Sequence, residues 1–324
     1  MKNRFVLFDI TRALCVIWIV GIWHMNEYMN VECKFFQDDS SIKEVFSILT
    51  NGVLAAFTFI SGYFMSKKLI SGWNDVLKFY KKRIIRFMIP LLSSSIILSI
   101  GGMILPIHTL TICTGVSQFL SPPWPMTLWY FSMMIFFYVI TPVLIWLKSL
   151  KNIYCLLFCI CIYSFLYIGH IYFGFDKRIA NNSLFYMLPF LFNTSKILPY
   201  NFSKLCRLLI IVGMNIVLYM TFVQKISLEV VSSIIICYML VTVSSFLALV
   251  PPLVKLFSSI SYASMFAYLF HRELYIVTYK LLGSYSQADA AIWLLVLFIF
   301  SYLGQYLYDS FLKNLLNRKL CVDG

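Results

Sequence analysis

Charged residues are scarce in this chain of 324 residues, and their scarcity excludes most classes of soluble protein. Only 12% of the residues are charged, whereas 61% are hydrophobic and the mean hydropathy is +0.85. A typical soluble domain is about one-quarter charged. The composition therefore predicts an all-α, polytopic bundle of transmembrane helices. Because nearly all of the chain would lie in the membrane, we expect one domain over residues 1–324.

Several signatures of other protein classes are also absent. The nine cysteines and four histidines show no metal-ligand spacing, so we expect no metal site. The sequence has no glycine-rich phosphate loop, no internal repeat and no low-complexity tract. The net charge of +13 comes from basic residues that flank apolar segments, so we expect no nucleic-acid partner. The first apolar run carries charges and lacks a small-residue cleavage site, so we do not expect a cleaved signal peptide.

Apolar runs long enough to cross a bilayer, about 20 residues each, recur along the chain. We predict ten spans, of which the sixth is the weakest because it is short and contains Pro189 and Lys196. With the N-terminus inside, about 18 of the 26 Lys and Arg residues fall on the inner side and six on the outer side. The positive-inside rule then predicts that both termini are cytoplasmic. The predicted spans are 5–28, 44–65, 84–105, 127–147, 152–173, 183–199, 206–224, 228–249, 256–278 and 288–312.

Four ionisable residues lie within the first predicted span. Asp9 interrupts its apolar start, Arg12 follows at i+3, His24 lies near the far end, and Glu27 lies at i+3 from the histidine. Charged side chains at mid-membrane cost roughly 2.5 kcal/mol or more each, so such residues indicate function. Two structural explanations stay open. Asp9 and Arg12 could pair near the membrane surface and anchor the helix, and His24 and Glu27 could be interfacial residues bonded to water.

Five short motifs follow one another along most of the chain. They are Asp9-Ile10-Thr11-Arg12 with His24 downstream; Phe57-Thr58-Phe59-Ile60-Ser61-Gly62-Tyr63; Arg83-Ile84-Ile85-Arg86 before Pro90; Leu128-Trp129-Tyr130 with Pro142; and Ser264 followed by Tyr268-Leu269-Phe270-His271. In this order they resemble the landmarks of the acyltransferase-3 family of integral-membrane acyltransferases. The second motif differs from the family's Phe-Phe-x-Leu-Ser-Gly-Phe at Thr58, which replaces the second phenylalanine.

The resemblance implies a function. Family members move acyl groups, commonly acetyl, onto glycans and other cell-envelope acceptors. This chain is then expected to be a membrane O-acyltransferase of a bacterial inner (plasma) membrane. Its partners would be acyl-coenzyme A (acetyl-coenzyme A) as a donor substrate rather than a bound cofactor, a glycan or lipid-linked glycan as acceptor, and membrane lipids. The alternative is a transporter or flippase of a lipid-linked glycan, whose pathway the same buried charges would line.

The candidate catalytic residues are His24, Arg12 and Glu27. Transfer of an acyl group from a thioester to a hydroxyl needs a base, and histidine suits this role near neutral pH. Glu27, one turn away, is expected to orient the imidazole of His24 and to stabilise its charged form. Asp9 and His271 are expected to support the site.

Arg83 and Arg86 are the candidate ligands of the donor. Coenzyme A carries several phosphates, and two arginines at the inner face can bind them in bidentate fashion. The same arginines also satisfy the positive-inside rule, so they could serve topology alone. Ser61 and Trp129 are expected to be structural or supporting residues; Ser61 with Gly62 indicates a close approach of two helices.

The spacing between Arg12 and His24 departs from the family. Eleven residues, Ala13 to Trp23, separate them, whereas family members usually have ten. At about 100° per residue, positions 11 apart on an α-helix lie roughly 20° apart, and positions 12 apart lie roughly 120° apart. A π-bulge would absorb the extra residue. If Arg12 and His24 act at one site, we therefore predict an i→i+5 bulge between Ala13 and Trp23, with Gly21 as its most favourable place because it lacks a side chain.

Overall fold

The computed structural model describes residues 2–29, 34–36, 41–102, 104–120, 128–192, 199–223, 229–283 and 285–320. Within these ranges the regular secondary structure is helical, and strand-type pairing is limited to one isolated backbone bridge between Met29 and Tyr285, which confirms the all-α prediction. The α-helices in these ranges are α1 (Lys2–Val16), α2 (Ser41–Ser66), α3 (Trp73–Arg83), α4 (Ile89–Ile100), α5 (Pro106–Cys113), α6 (Trp129–Leu150), α7 (Asn152–Phe173), α8 (Lys177–Leu191), α9 (Lys204–Val223), α10 (Glu229–Leu247), α11 (Pro251–Leu282) and α12 (Gln287–Leu320).

Eight helical runs among the described residues are long and apolar enough to cross a membrane, as expected of a multi-pass protein. Two predicted spans, 183–199 and 206–224, overlap α8 and α9, which are not among these eight. Helix α8 has only 15 residues and ends before Lys196, which lies outside the described residues. The count of ten and the cytoplasmic termini therefore stay predictions. The eight runs are Val6–Tyr28, Ser41–Ser66, Trp73–Ile100, Trp129–Leu150, Asn152–Phe173, Glu229–Leu247, Pro251–Leu281 and Gln287–Lys313.

The helices group into two compact units. The first contains Met1–Thr50 and Ser244–Gly324, and the second contains Asn51–Val243. In the first unit, α1 packs along α11, and α11 packs along α12. In the second unit, α7 packs against both α6 and α8, and α4 packs against α5. A single domain over residues 1–324 stays a prediction.

The first membrane run changes its helical type twice. It is α-helical to Val16, π-helical over Ile17–His24 and 3₁₀-helical over Met25–Tyr28. A π-helix is rare and occurs mostly as a single turn inside an α-helix, often at a functional site. Within the first unit, the Tyr275 hydroxyl of α11 donates to the Val20 carbonyl at 3.3 Å. The predicted i→i+5 bonding between Arg12 and His24 is thus confirmed, and it extends over eight residues.

Gly21 lies inside this π-helical segment, as predicted, and also where α12 comes close. A Cβ atom at this position would stand 2.8 Å from a methyl carbon of Leu294. The missing side chain therefore permits a close approach of two helices as well as the local distortion.

A second π-helical segment, Ile84–Met88, joins α3 to α4 and makes one continuous run from Trp73 to Ile100. Pro90 explains its place. Proline has no backbone N–H to donate to the carbonyl four residues earlier, which belongs to Arg86, and its ring would clash with that carbonyl. The wider turn relieves this clash within the segment that carries Arg86, one of the two candidate donor-binding arginines.

Candidate active site

Two histidines from opposite ends of the sequence meet inside the first unit. His24 ends the π-helical segment, and His271 lies in the middle of α11. The Nδ1 atom of His24 is 2.9 Å from Nε2 of His271, and the two rings are nearly parallel at 11°, with centroids 4.8 Å apart. Their exposed fractions are 8% and 0%. This short contact, held in a buried place, fixes the orientation of both rings.

The hydrogen bonds of the pair imply one tautomer for each neutral ring. Nδ1 of His271 lies 2.9 Å from the Tyr268 carbonyl, which can only accept, so this Nδ1 carries the proton. Nε2 of His271 must then accept, and Nδ1 of His24 must donate to it. The lone pair of His24 is consequently on Nε2. An imidazole held in this way can take up a proton without any change in its other bond, as a general base requires.

Glu27 contacts α11 rather than His24. Its carboxylate pairs with both terminal nitrogens of Arg272: Nη1 bonds to Oε2, and Nη2 bonds to Oε1 at 3.0 Å. The Tyr28 hydroxyl also accepts from Nη1 of Arg272, at 3.2 Å. The 3₁₀ turn at Met25–Tyr28 carries Glu27 to this position, where the neighbouring helix offers a full charge. The structure thus gives the orienting bond of His24 to His271, and it gives Glu27 an ion pair of its own.

Asp9 and Arg12 form the partly exposed ion pair that their spacing suggested, with 3.9 Å between Nη1 and Oδ1. Ser261 of α11 donates to Asp9 Oδ1 at 3.1 Å. Asp9 and His24 therefore both face α11, through Ser261 and His271 respectively. A shared site of Arg12 and His24 stays a prediction.

In the second unit, Arg83 is held by aromatic rings. Its guanidinium carbon lies 5.6 Å from the ring centre of Phe79 and 5.2 Å from that of Tyr138. Nη2 also contacts the sulfur of Met65 at 3.5 Å. Such contacts orient a guanidinium plane without neutralising its charge, so the charge stays available to an anion.

Other cations lie near Arg83. Burial, followed by the neighbouring positive charges of Arg83 and Lys82, lowers the pKa of Lys68. Arg86 is exposed one turn further along. These residues form a cluster of basic groups in the second unit, which we call the basic cluster (Lys68, Lys82, Arg83 and Arg86).

Ser61 is part of a close helix contact, as its neighbour Gly62 suggested. Its hydroxyl donates to the Phe57 carbonyl of the same helix at 3.1 Å. A Cβ atom added to Gly62 would collide with the backbone carbonyl of Tyr186 in α8. This pair of residues therefore shapes the packing of α2 against α8.

Trp129 lies under a charged pair of the second unit. The Arg178 guanidinium stands 3.9 Å from its ring centre and bonds to the buried carboxylate of Asp176. The Trp129 carbonyl accepts from the Gln118 side chain at 2.5 Å. These bonds give Trp129 a supporting place in the packing of α6.

Tyr28 and Tyr275, which also contact this site, were not assigned a role from the sequence. The sequence of α11 did contain a pattern that indicates an aromatic helix face. Aromatic residues and His271 recur there at intervals of three and four and so share one face: Tyr268, His271, Tyr275 and Tyr279. Tyr28 packs against this face, with ring centres 5.6 Å from Tyr275 and 5.9 Å from Tyr279.

Comparison with protein families connects this geometry with an activity. The acyltransferase-3 family model, described as an acyltransferase domain, matches residues 6–308 and so includes all the candidate residues above. Comparisons with curated proteins and with solved structures found no significant match. Because the family match extends over nearly the whole chain, this multi-pass membrane protein belongs to the acyltransferase-3 family and is a membrane acyltransferase.

Proposed function

We propose that this protein is an O-acyltransferase that moves an acyl group, acetyl in the simplest case, from acyl-coenzyme A to a hydroxyl of a cell-envelope glycan. The observation that supports it best is the bond between His24 and His271, because it leaves a lone pair on Nε2 of a rigid, buried imidazole. A base held in one tautomer is what attack by a hydroxyl on a thioester needs.

The reaction would use the His24 ring twice. Nε2 of His24 takes the proton of the acceptor hydroxyl as its oxygen attacks the thioester carbonyl. The tetrahedral intermediate then collapses, the bond from carbon to sulfur breaks, and the departing thiolate takes the proton from Nε2. Throughout these steps Nδ1 of His24 keeps its bond to His271, so the ring need not rotate.

The basic cluster would bind the donor. Coenzyme A presents phosphates, and Arg83 and Arg86 offer guanidinium groups of matching shape. The proposed membrane is the bacterial inner membrane, with the basic cluster on the cytoplasmic side, where acyl-coenzyme A is made. Arg12, in the same first run as His24, is a further candidate for contact with the donor.

The direct test is transfer of radiolabelled acetyl from acetyl-coenzyme A by the purified protein in lipid nanodiscs, with a cell-envelope glycan fraction as acceptor. The proposal expects label on the glycan as an alkali-labile ester, with one free thiol released for each label. The matched control is the His24→Ala protein. Movement of labelled glycan across vesicles without any thiol release would favour a flippase instead.

A further inference from the structure

Arg272 is a buried arginine whose Nε–H is unused. Its exposed fraction is 5%, and its two terminal nitrogens bond to the Glu27 carboxylate, one of them also to Tyr28. Its Nε–H is buried as well, and no acceptor meets it among the residues that the structure describes. The N–H groups of a guanidinium lie in one plane, so the Glu27 pair fixes the direction in which the Nε–H points.

Burying a charged donor without an acceptor is costly, and native structures rarely tolerate it without a functional reason. This Nε–H has almost no contact with bulk solvent in the resting protein. A donor that is rigid, buried and unused in the resting protein is suited to an acceptor that appears only during the reaction.

The place of Arg272 matches that requirement. It directly follows His271 in α11, and its partner Glu27 lies one turn beyond His24. Its positive charge interacts electrostatically with the imidazoles of both histidines. The unused donor on α11 and the proposed base, which bonds to α11 through His271, are therefore neighbours in the same unit.

We propose that the Nε–H of Arg272 binds the carbonyl oxygen of the acyl donor and stabilises the oxyanion of the tetrahedral intermediate. This inference rests on the proposed function, since it adds to the general base a second group, the one that stabilises the oxyanion. When the acceptor oxygen bonds to the carbonyl carbon, its proton goes to Nε2 of His24. The π electrons of the carbonyl move to its oxygen, which accepts from Arg272. They return when the bond to sulfur breaks, and the thiolate leaves with the proton from His24.

The test compares Arg272→Lys with wild type in the acetyl-transfer assay. Lysine keeps a charge for Glu27 but has a methylene group where arginine has Nε–H, so the donor is lost and the charge is not. One preorganised donor to an oxyanion contributes about 100-fold to 1000-fold, so kcat should fall by about that factor. The KM for acetyl-coenzyme A should change by less than about threefold, because the bond is strongest in the transition state.

The matched control is Arg207→Lys, in which the same change removes an Nε–H that already donates to a backbone carbonyl, that of Phe202, at 2.9 Å. This variant should keep kcat within about twofold of wild type, since a surface substitution removes no group of the proposed site. A kcat for Arg272→Lys within about threefold of wild type would overturn the assignment. An equal loss in Glu27→Gln, which keeps the Nε–H, would overturn it too, because Arg272 would then act only through its ion pair.

A second measurement covers the case in which Arg272→Lys does not fold. Arg272→Ala is assayed with added ethylguanidinium, which restores an N–H at the position of Nε, and with propylammonium, which restores a charge but has a methylene group at that position. Recovery of kcat by at least tenfold with ethylguanidinium alone supports the assignment, and an equal response to both cations overturns it. A wild-type protein that transfers no acetyl would overturn the proposed function itself, which is a different result.

Discussion

Replacing His271 with phenylalanine tests the histidine pair most directly. Phenylalanine keeps an aromatic ring beside His24 but removes the acceptor of its Nδ1–H. In the transition state His24 carries an extra proton, so the bond becomes charge-assisted and is worth about 1.5–3 kcal/mol. At about 1.4 kcal/mol for each factor of ten, its loss lowers kcat about 12-fold to 150-fold. Without the bond, part of His24 also adopts the tautomer that has no lone pair on Nε2.

The assay is steady-state acetyl transfer, with kcat and KM measured separately. His271→Gln, whose side-chain oxygen can accept from His24, should recover part of the lost kcat. The matched control is His170→Phe, which removes another helix histidine that bonds to a backbone carbonyl, that of Phe175, at 2.8 Å. It should leave kcat unchanged. A His271→Phe protein with kcat within threefold of wild type would refute the argument that His271 orients the base.

Four further substitutions test other parts of the molecule. His24→Ala should abolish transfer while membrane insertion, measured by accessibility labelling, stays normal, because a base is lost without emptying a large core position. Arg83→Ala and Arg86→Ala should each raise the KM for acetyl-coenzyme A about tenfold and leave the KM for the acceptor nearly unchanged, as expected for loss of one charge-assisted phosphate contact. Gly62→Ala should lower the free energy of unfolding by about 1–3 kcal/mol, seen as a lower Tm, because a methyl group collides with a backbone carbonyl. Gly213→Ala, whose new Cβ would meet nothing within 4 Å, is the matched control.

Each of these has a contrary outcome. Normal transfer by His24→Ala would remove that residue from the mechanism. Unchanged donor KM values in both arginine variants would leave Arg83 and Arg86 with a role in topology only. Equal Tm values for Gly62→Ala and Gly213→Ala would mean that α2 and α8 can separate at no cost.

Local patterns predicted the helices and the first run well. The apolar length of each span can be read from neighbouring residues alone. The surplus residue between Arg12 and His24 is also a local feature, and it was the basis for predicting the π-helical segment. Pro90 was visible too, but its effect on the carbonyl of Arg86 was overlooked, so the second π-helical segment was not predicted.

The partners within the site were harder to predict because they are distant in sequence. His24 and His271 are 247 positions apart, and Glu27 and Arg272 are 245 positions apart. A pattern at i+3 favoured Glu27 as the partner of His24, but it gave no weight to a full charge supplied by another helix. The burial of individual side chains was the second feature that the sequence did not predict. The unused Nε–H of Arg272 is visible only once the surrounding side chains are in place.

The π-helical segment has a consequence for how chains of different length are compared. A single surplus residue is usually assigned to a loop, where it changes little. Here it is held within a membrane helix, over Ile17–His24, and the residues on either side still reach their partners on α11. An alignment that permits gaps only between helices would pair His24 with the wrong residue of a relative and would report the proposed base as missing. The correct gap lies inside the helix, between Arg12 and His24.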